Sequence, residues 1–220
     1  MPVAFADLAR TCAPNVAVET IAAVVSLESD FHPYATRINS GPPRPAQPAS
    51  KAEAIELATS LIVDHQDIQI GLGGLGLEEM RKLNLSISDA FDACLNLKAT
   101  ATLLDGYYRR ALRAGADPAQ AENIMLQSHF GRGDPSLGKV VRYDEQVRQE
   151  MVRLSHKLAS LSVIAPRIEA RFERPADIQD VPAVAKRLPQ ANETAAWDVF
   201  NSRRRSSVLV FQNDRSEQSE

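Results

Sequence analysis

Residues 68–83 read IQIGLGGLGLEEMRKL, and the fold turns on what these glycines do. Gly71-x-Gly73-x-x-Gly76 matches the dinucleotide-binding fingerprint, with strand-like Ile68 and Ile70 before it and a helical run after it. That fingerprint works only on a parallel sheet, which sets a pyrophosphate at a helix N-terminus. The rest of the chain shows helical periodicity and no alternation of strands with helices, so the expected fold class is mainly α. The glycines then need another purpose.

Upstream, Asn15 after Pro14 is the candidate N-cap of a helix carrying Val18, Ile21, Ala22 and Val25 on one face, which Pro33 ends by about Phe31. Residues 39–50 hold four of the thirteen prolines and read as an exposed irregular loop. Further helices are expected over 51–63, after the glycines in LEEMRKLNL, over 87–113, and before His129. Val147, Met151, Leu154, Leu158 and Leu161 repeat at four and three, marking a last amphipathic helix. From about Ala165 four prolines, many charges and no sustained periodicity suggest an extended, weakly ordered tail, interrupted by AAWDVF around Trp197. The expected organisation is a domain over 1–162 and a tail over 163–220.

The 220 residues are 44% apolar and 5% aromatic, enough for one ordinary core. With 25 basic and 28 acidic residues the formal charge is −3, which gives no nucleic-acid footprint, and no apolar run approaches the length of a membrane span. No secretory signal is visible in MPVAFADLARTCAPN, as expected both of a cytoplasmic protein and of the mature form of an exported one. Cys12 and Cys94 are too few for a zinc site, and none of the four histidines stands at ligand spacing from them. They are either two buried thiols or one disulfide.

Glu28 lies three residues after Val25 on the apolar face of its helix. A carboxylate there is either solvated at the helix end or held where water is scarce, and the second setting is what a general acid requires. The stretch ESDFHPYA, residues 28–35, resembles the Glu-Ser-x-Phe-x-Pro-x-Ala motif of lysozyme-like lytic transglycosylases (SLT-type domains). CAPNVAVETIAAVVSLES before it is similar to the form found in the VirB family of type IV secretion systems. IGLGGLG stands in the place of that family's Gly-Leu-x-Gln-Ile-Asn cleft motif. LSISDAFDACLNLKATATLL resembles the segment after it, QSHFGRGDP takes the place of a Tyr-Asn-Gly motif, and AAWDVF resembles a Trp-Asp-Val segment near the C-terminus.

The resemblance implies a mainly α, lysozyme-like domain that cleaves the MurNAc-β-1,4-GlcNAc bond of peptidoglycan to a 1,6-anhydro sugar. Glu28 would be the sole acid/base, with no metal or cofactor. It implies a Cys12–Cys94 disulfide, a periplasmic location, and peptidoglycan and type IV secretion components as partners, the latter through the tail around Trp197. Ser29, Gly71, Leu72, Gly73, Gly74, Ser128, Phe130 and Gly131 would line the substrate cleft. The chain also departs from the pattern. The family's glutamine and asparagine fall on Gly74 and Gly76, and its tyrosine, whose hydroxyl helps hold the acid, falls on Phe130. Ser29, Ser128 or a water would then have to hold Glu28, and Gly74→Gln with Phe130→Tyr is expected to raise activity. The alternative function is a weakened or inactive glycan-binding or assembly subunit.

Overall fold

The computed structural model describes residues 3–39 and 47–163. Most of the proline loop, and the tail with Trp197, lie outside the described residues. Nearly all the described chain is helix and turn, with two small antiparallel sheets.

The body is built around one helix. α2 (Val18–Ser29) carries Ile21, Ala22, Ala23, Val24 and Val25 with no exposed surface at all. A helix apolar on every side has to be wrapped by others. On one side Ile21, Ala22 and Val25 pack with Phe5 and Ala9 of α1 (Phe5–Cys12) and with Leu97 and Ala101 of α6 (Ala93–Arg113). On the other, Ala23 and Val24 meet Leu104 of α6, Leu126 of α7 (Pro118–Phe130), and Tyr143 and Val147 of α9 (Tyr143–Leu154). Full burial of each such aliphatic side chain contributes about 1.5–3 kcal/mol, so α2 is fixed firmly. Whatever stands at its C-terminus is fixed with it.

A second core joins α3 (Lys51–Val63) to a three-stranded sheet, β2 (Thr36–Ile38), β3 (Ile68–Ile70) and β4 (Leu75–Gly76), in the order β2-β3-β4. Arg37 is opposite Gln69, and Gln69 opposite Gly76. The glycine stretch is therefore the β3–β4 hairpin connection followed by α4 (Leu77–Lys82), with no parallel strand beside it. Cys12 and Cys94 form a disulfide, Cα–Cα 5.3 Å, tying α1 to α6. β1 (Val3–Ala4) pairs antiparallel with β5 (Ser162–Val163). No helix of the described residues is long and apolar enough to cross a membrane.

Three sequence expectations need correction. Asn15 does not cap α2: a turn in which Val16 N–H donates to Ala13 C=O delays the helix, and Ala17 precedes it with no side-chain cap. Residues 87–113 form two helices, α5 (Ile87–Ala90) and α6, because the Asp92 carboxylate accepts from Leu95 N–H and starts a new one. The last helix ends at Leu154. Leu158 and Leu161 still pack on the first core, but from a 3-10 turn, Leu158–Ser160, that leads into β5. Two further helices, α1 and α8 (Pro135–Val140), have no counterpart among those expected.

Candidate active site

Glu28 occupies the last turn of α2. The helix ends at Asp30 in the left-handed conformation (φ 48°), and Phe31 follows at φ 63°. Two consecutive non-glycine residues there are strained. They are held by Asp30 N–H donating to Ser26 C=O (3.0 Å) and by the edge-to-face packing of Phe31 on Phe5. The turn brings the chain sharply from helix to β2 while the Glu28 side chain stays only 4% exposed.

Both carboxylate oxygens are held. Tyr143 Oη donates to Oε1 at 2.6 Å, and Arg37 Nη2 donates to Oε2. Arg37 reaches Glu28 from β2, and its Nε donates at 3.0 Å to Oε1 of Gln69, the residue paired with it across the sheet. Tyr143 opens α9 and is buried, its ring 5.1 Å from that of Phe130. Burial, followed by the charge and hydrogen bond of Glu28, raises the Tyr143 hydroxyl well above its ordinary value of 10. It therefore stays protonated and acts as a donor throughout the neutral range.

The expectation that Ser29, Ser128 or a water takes the place of the missing tyrosine is corrected: a tyrosine from elsewhere in the chain holds Glu28. The hydroxyl comes from residue 143, and Phe130 packs against that tyrosine's ring. Tyr143 lies four residues before Val147, on the same helical stripe, and a buried tyrosine on an apolar stripe needs a partner for its hydroxyl. That signal was available. Nothing in the sequence marked Arg37, whose approach to Glu28 depends on the pairing of β2 with β3.

The glycines now have a purpose. The whole stretch 71–76 is buried. Asn96 of α6 accepts from Gly73 N–H at 2.8 Å and donates to Ala90 C=O at 2.7 Å. A Cβ on Gly73 would fall 2.0 Å from Thr100 Oγ1 of the same helix. Gly74, at φ +64°, lies directly against the acid, where a Cβ would stand 2.8 Å from Glu28 Oε2. The backbone at 74 forms one wall of the acid's cage, so Gly74→Gln is not a restoring change here: it would push into Glu28.

The remaining site candidates are placed as follows. Ser29 is buried, its single O–H shared between Val25 C=O (2.9 Å) and Leu72 C=O (2.8 Å), which links the end of α2 to the glycine turn. Leu72 is fully buried in the first core. Ser128 and His129 are buried in α7, and His129 Nδ1 has no partner among the described residues. Gly131 begins a turn so tight that a Cβ would strike Asp134 C=O. A second buried acid, Glu79, was not singled out by sequence. It accepts from Gly76 N–H (2.9 Å) and Tyr107 Oη (3.1 Å), and so braces β4 against α6.

Next to Arg37 a cleft of about 610 Å³ opens between the sheet, with Arg37, Asp67 and Gln69, and the α7–α8 corner, with Phe130, Arg132 and Leu137. On the other flank Glu28 lines a depression of about 360 Å³ with Ser26, Asp30, Thr36 and Gln47.

The chain has homologues named VirB1. It is 39% identical over 110 residues to the "Type IV secretion system protein virB1" of Brucella suis biovar 1 (strain 1330), an alignment covering 50% of this chain and 46% of that protein. It is 27% identical over 213 residues to "Protein virB1" of Agrobacterium fabrum (strain C58 / ATCC 33970), covering 94% of this chain and 75% of that one. The chain thus spans about half the length of the Brucella relatives it matches. No family model matches the chain, and no solved structure does.

Proposed function

We propose that this homologue of the VirB1 proteins is a peptidoglycan lytic transglycosylase that opens the cell wall locally for a type IV secretion machine. The carrying observation is the cage around Glu28: a carboxylate almost shut off from water, one oxygen oriented by Tyr143 and the other beside Arg37. Glu28 lines the smaller depression, and Arg37 lines the larger cleft. The Cys12–Cys94 disulfide supports an oxidising compartment such as the periplasm.

Glu28 does both proton transfers. As the acid it donates to the glycosidic oxygen, the bond to the muramyl anomeric carbon breaks, and N-acetylglucosamine leaves with a free 4-hydroxyl. As the carboxylate it takes the proton of the muramyl 6-hydroxyl, whose oxygen closes on the anomeric carbon. The product is a 1,6-anhydro sugar, and no water is consumed. Most glycosidases use two carboxylates; here one serves twice. Arg37 has to release Oε2 for the proton to be delivered from that oxygen, and it returns to stabilise the charge left behind. Its side chain, 41% exposed, has room to do so.

The test is a sacculus digest with mass analysis of the soluble products, parent against Glu28→Gln. Anhydro-muropeptides, lighter by one water than hydrolysis products, should appear with the parent and vanish in the variant. Reducing-end products would make the protein a hydrolase. No products from either chain would leave the glycan-binding reading.

A further inference from the structure

Gly76 stands where the resemblance expects an asparagine side chain in the cleft, and the space beside it is taken. A Cβ on Gly76 would meet Arg132 Cδ at 3.3 Å and its Nε and Nη1 at 3.4 Å. Arg132 comes from the opposite wall, the α7–α8 corner, and reaches across to the sheet. Its Nη1 donates to Asp67 Oδ1 at 2.6 Å. It is presented by a turn in which Arg132 itself is left-handed (φ 54°) and Gly133 N–H donates to Ser128 C=O at 2.7 Å. Its side chain is 28% exposed and lines the 610 Å³ cleft.

The left-handed turn closes α7 in the usual way, Arg132 N–H donating to His129 C=O and Gly133 N–H to Ser128 C=O, while an ion pair open to solvent on one side contributes little to stability. Asp67 is the sole acceptor for the Arg132 guanidinium among the described residues, and it takes one of five N–H groups. The neighbouring guanidinium, Arg37, is occupied with Glu28 and Gln69. The charged residues lining the cleft are two arginines and one aspartate, and each arginine is paired with one carboxylate, so what Arg132 offers a ligand is its remaining N–H groups.

We propose that Arg132 is a substrate-positioning residue that binds a carboxylate of the glycan's muramyl substituent, the lactyl group or the peptide carried on it. The inference rests on the peptidoglycan reading above. A planar guanidinium with free parallel N–H groups fits a carboxylate in a way that no amide at position 76 would. This chain thus exchanges a neutral sugar contact on the glycine hairpin for a cationic one delivered from the facing wall. Asp67 holds the fork in place until the ligand arrives.

The test is sacculus binding by the full chain carrying Glu28→Gln, so that nothing is cut, with and without Arg132→Ala. Native sacculi are compared with sacculi whose carboxylates have been coupled to ammonia as neutral amides. Arg132→Ala should weaken binding to native sacculi by about 10- to 100-fold, the worth of a hydrogen-bonded charge pair. Amidation should weaken the Arg132-bearing chain by a similar factor and hardly affect Arg132→Ala. Arg132→Lys should lie between. If Arg132→Ala melts below the parent, Arg132→Gln serves as the second neutral variant. Losses from substitution and amidation that multiply, or an Arg132→Ala chain that binds native sacculi as tightly, would overturn the assignment. A parent that releases no anhydro product would overturn the reaction while leaving this comparison of binding intact.

Discussion

Tyr143 and Gly74 define how tightly Glu28 is specified. Removing the hydroxyl alone, in Tyr143→Phe, leaves the ring packed on Phe130 and takes away the donor to Oε1. The expected result is a fall in kcat/KM of about 10- to 100-fold with little change in melting temperature, since one oriented hydrogen bond is worth about 1–3 kcal/mol. Phe130→Tyr should give no gain, because the acid already has its phenol. Gly74→Ala combines a left-handed backbone, costing about 1–2 kcal/mol for any residue with a Cβ, with a contact on Oε2. It should lower both melting temperature and product release, and calorimetry beside the digest reads the two separately.

Among the elements, α2 and the glycine hairpin were legible in different degrees. Val18, Ile21, Ala22 and Val25 marked a helix with one apolar face and Glu28 near its end; burial of Ala23 and Val24 on the other side was not read from the sequence. The lack of strand-helix alternation agrees with the antiparallel hairpin found at Gly71–Gly76. What the hairpin does was not legible, because its partners, Asn96 and Thr100, lie more than twenty residues on and act through the packing of α6. Arg37 escaped for the same reason, since it meets Glu28 only once the sheet register is set; Tyr143 was readable as a buried tyrosine in need of a partner, but the identity of that partner was not. The break between α5 and α6 was readable in Asp92, a capping residue before a helical run. Asp92→Ala should cost about 1 kcal/mol through loss of that cap, seen as a small drop in the denaturation midpoint. Reducing the disulfide removes a closure of 82 residues and should cost about 4–5 kcal/mol on the chain-entropy account. Denaturation with and without reductant measures it.

At the scale of the whole molecule, buried tyrosines and paired acids set the pH range of stability. Burial, then the charge of Glu79, raises Tyr107 above its ordinary 10, and Tyr143 is raised likewise beside Glu28. Their contribution is complete below pH 10 and is lost as pH rises above it. On the acid side the Arg153 hydrogen bond lowers Glu150 from 4.5. Asp144 is lowered from 3.8 because, although burial opposes this, bonds from Gln127 and Arg148 prevail. That contribution is present above those values and disappears as pH falls through them. Melting temperature against pH should show a plateau with two falling limbs, and Tyr107→Phe should flatten the alkaline one.

The bond between Tyr143 and Glu28 joins residues 115 apart in the chain. If the protein crosses a membrane from its N-terminus as an unfolded thread, Glu28 emerges early and its phenol late. The disulfide can close once residue 94 is out, yet Glu28 lacks its phenol until α9 has followed and docked. On the lytic reading proposed above, a chain assembled in this order would be silent through most of its own delivery, and would become competent only when nearly all of the body has arrived.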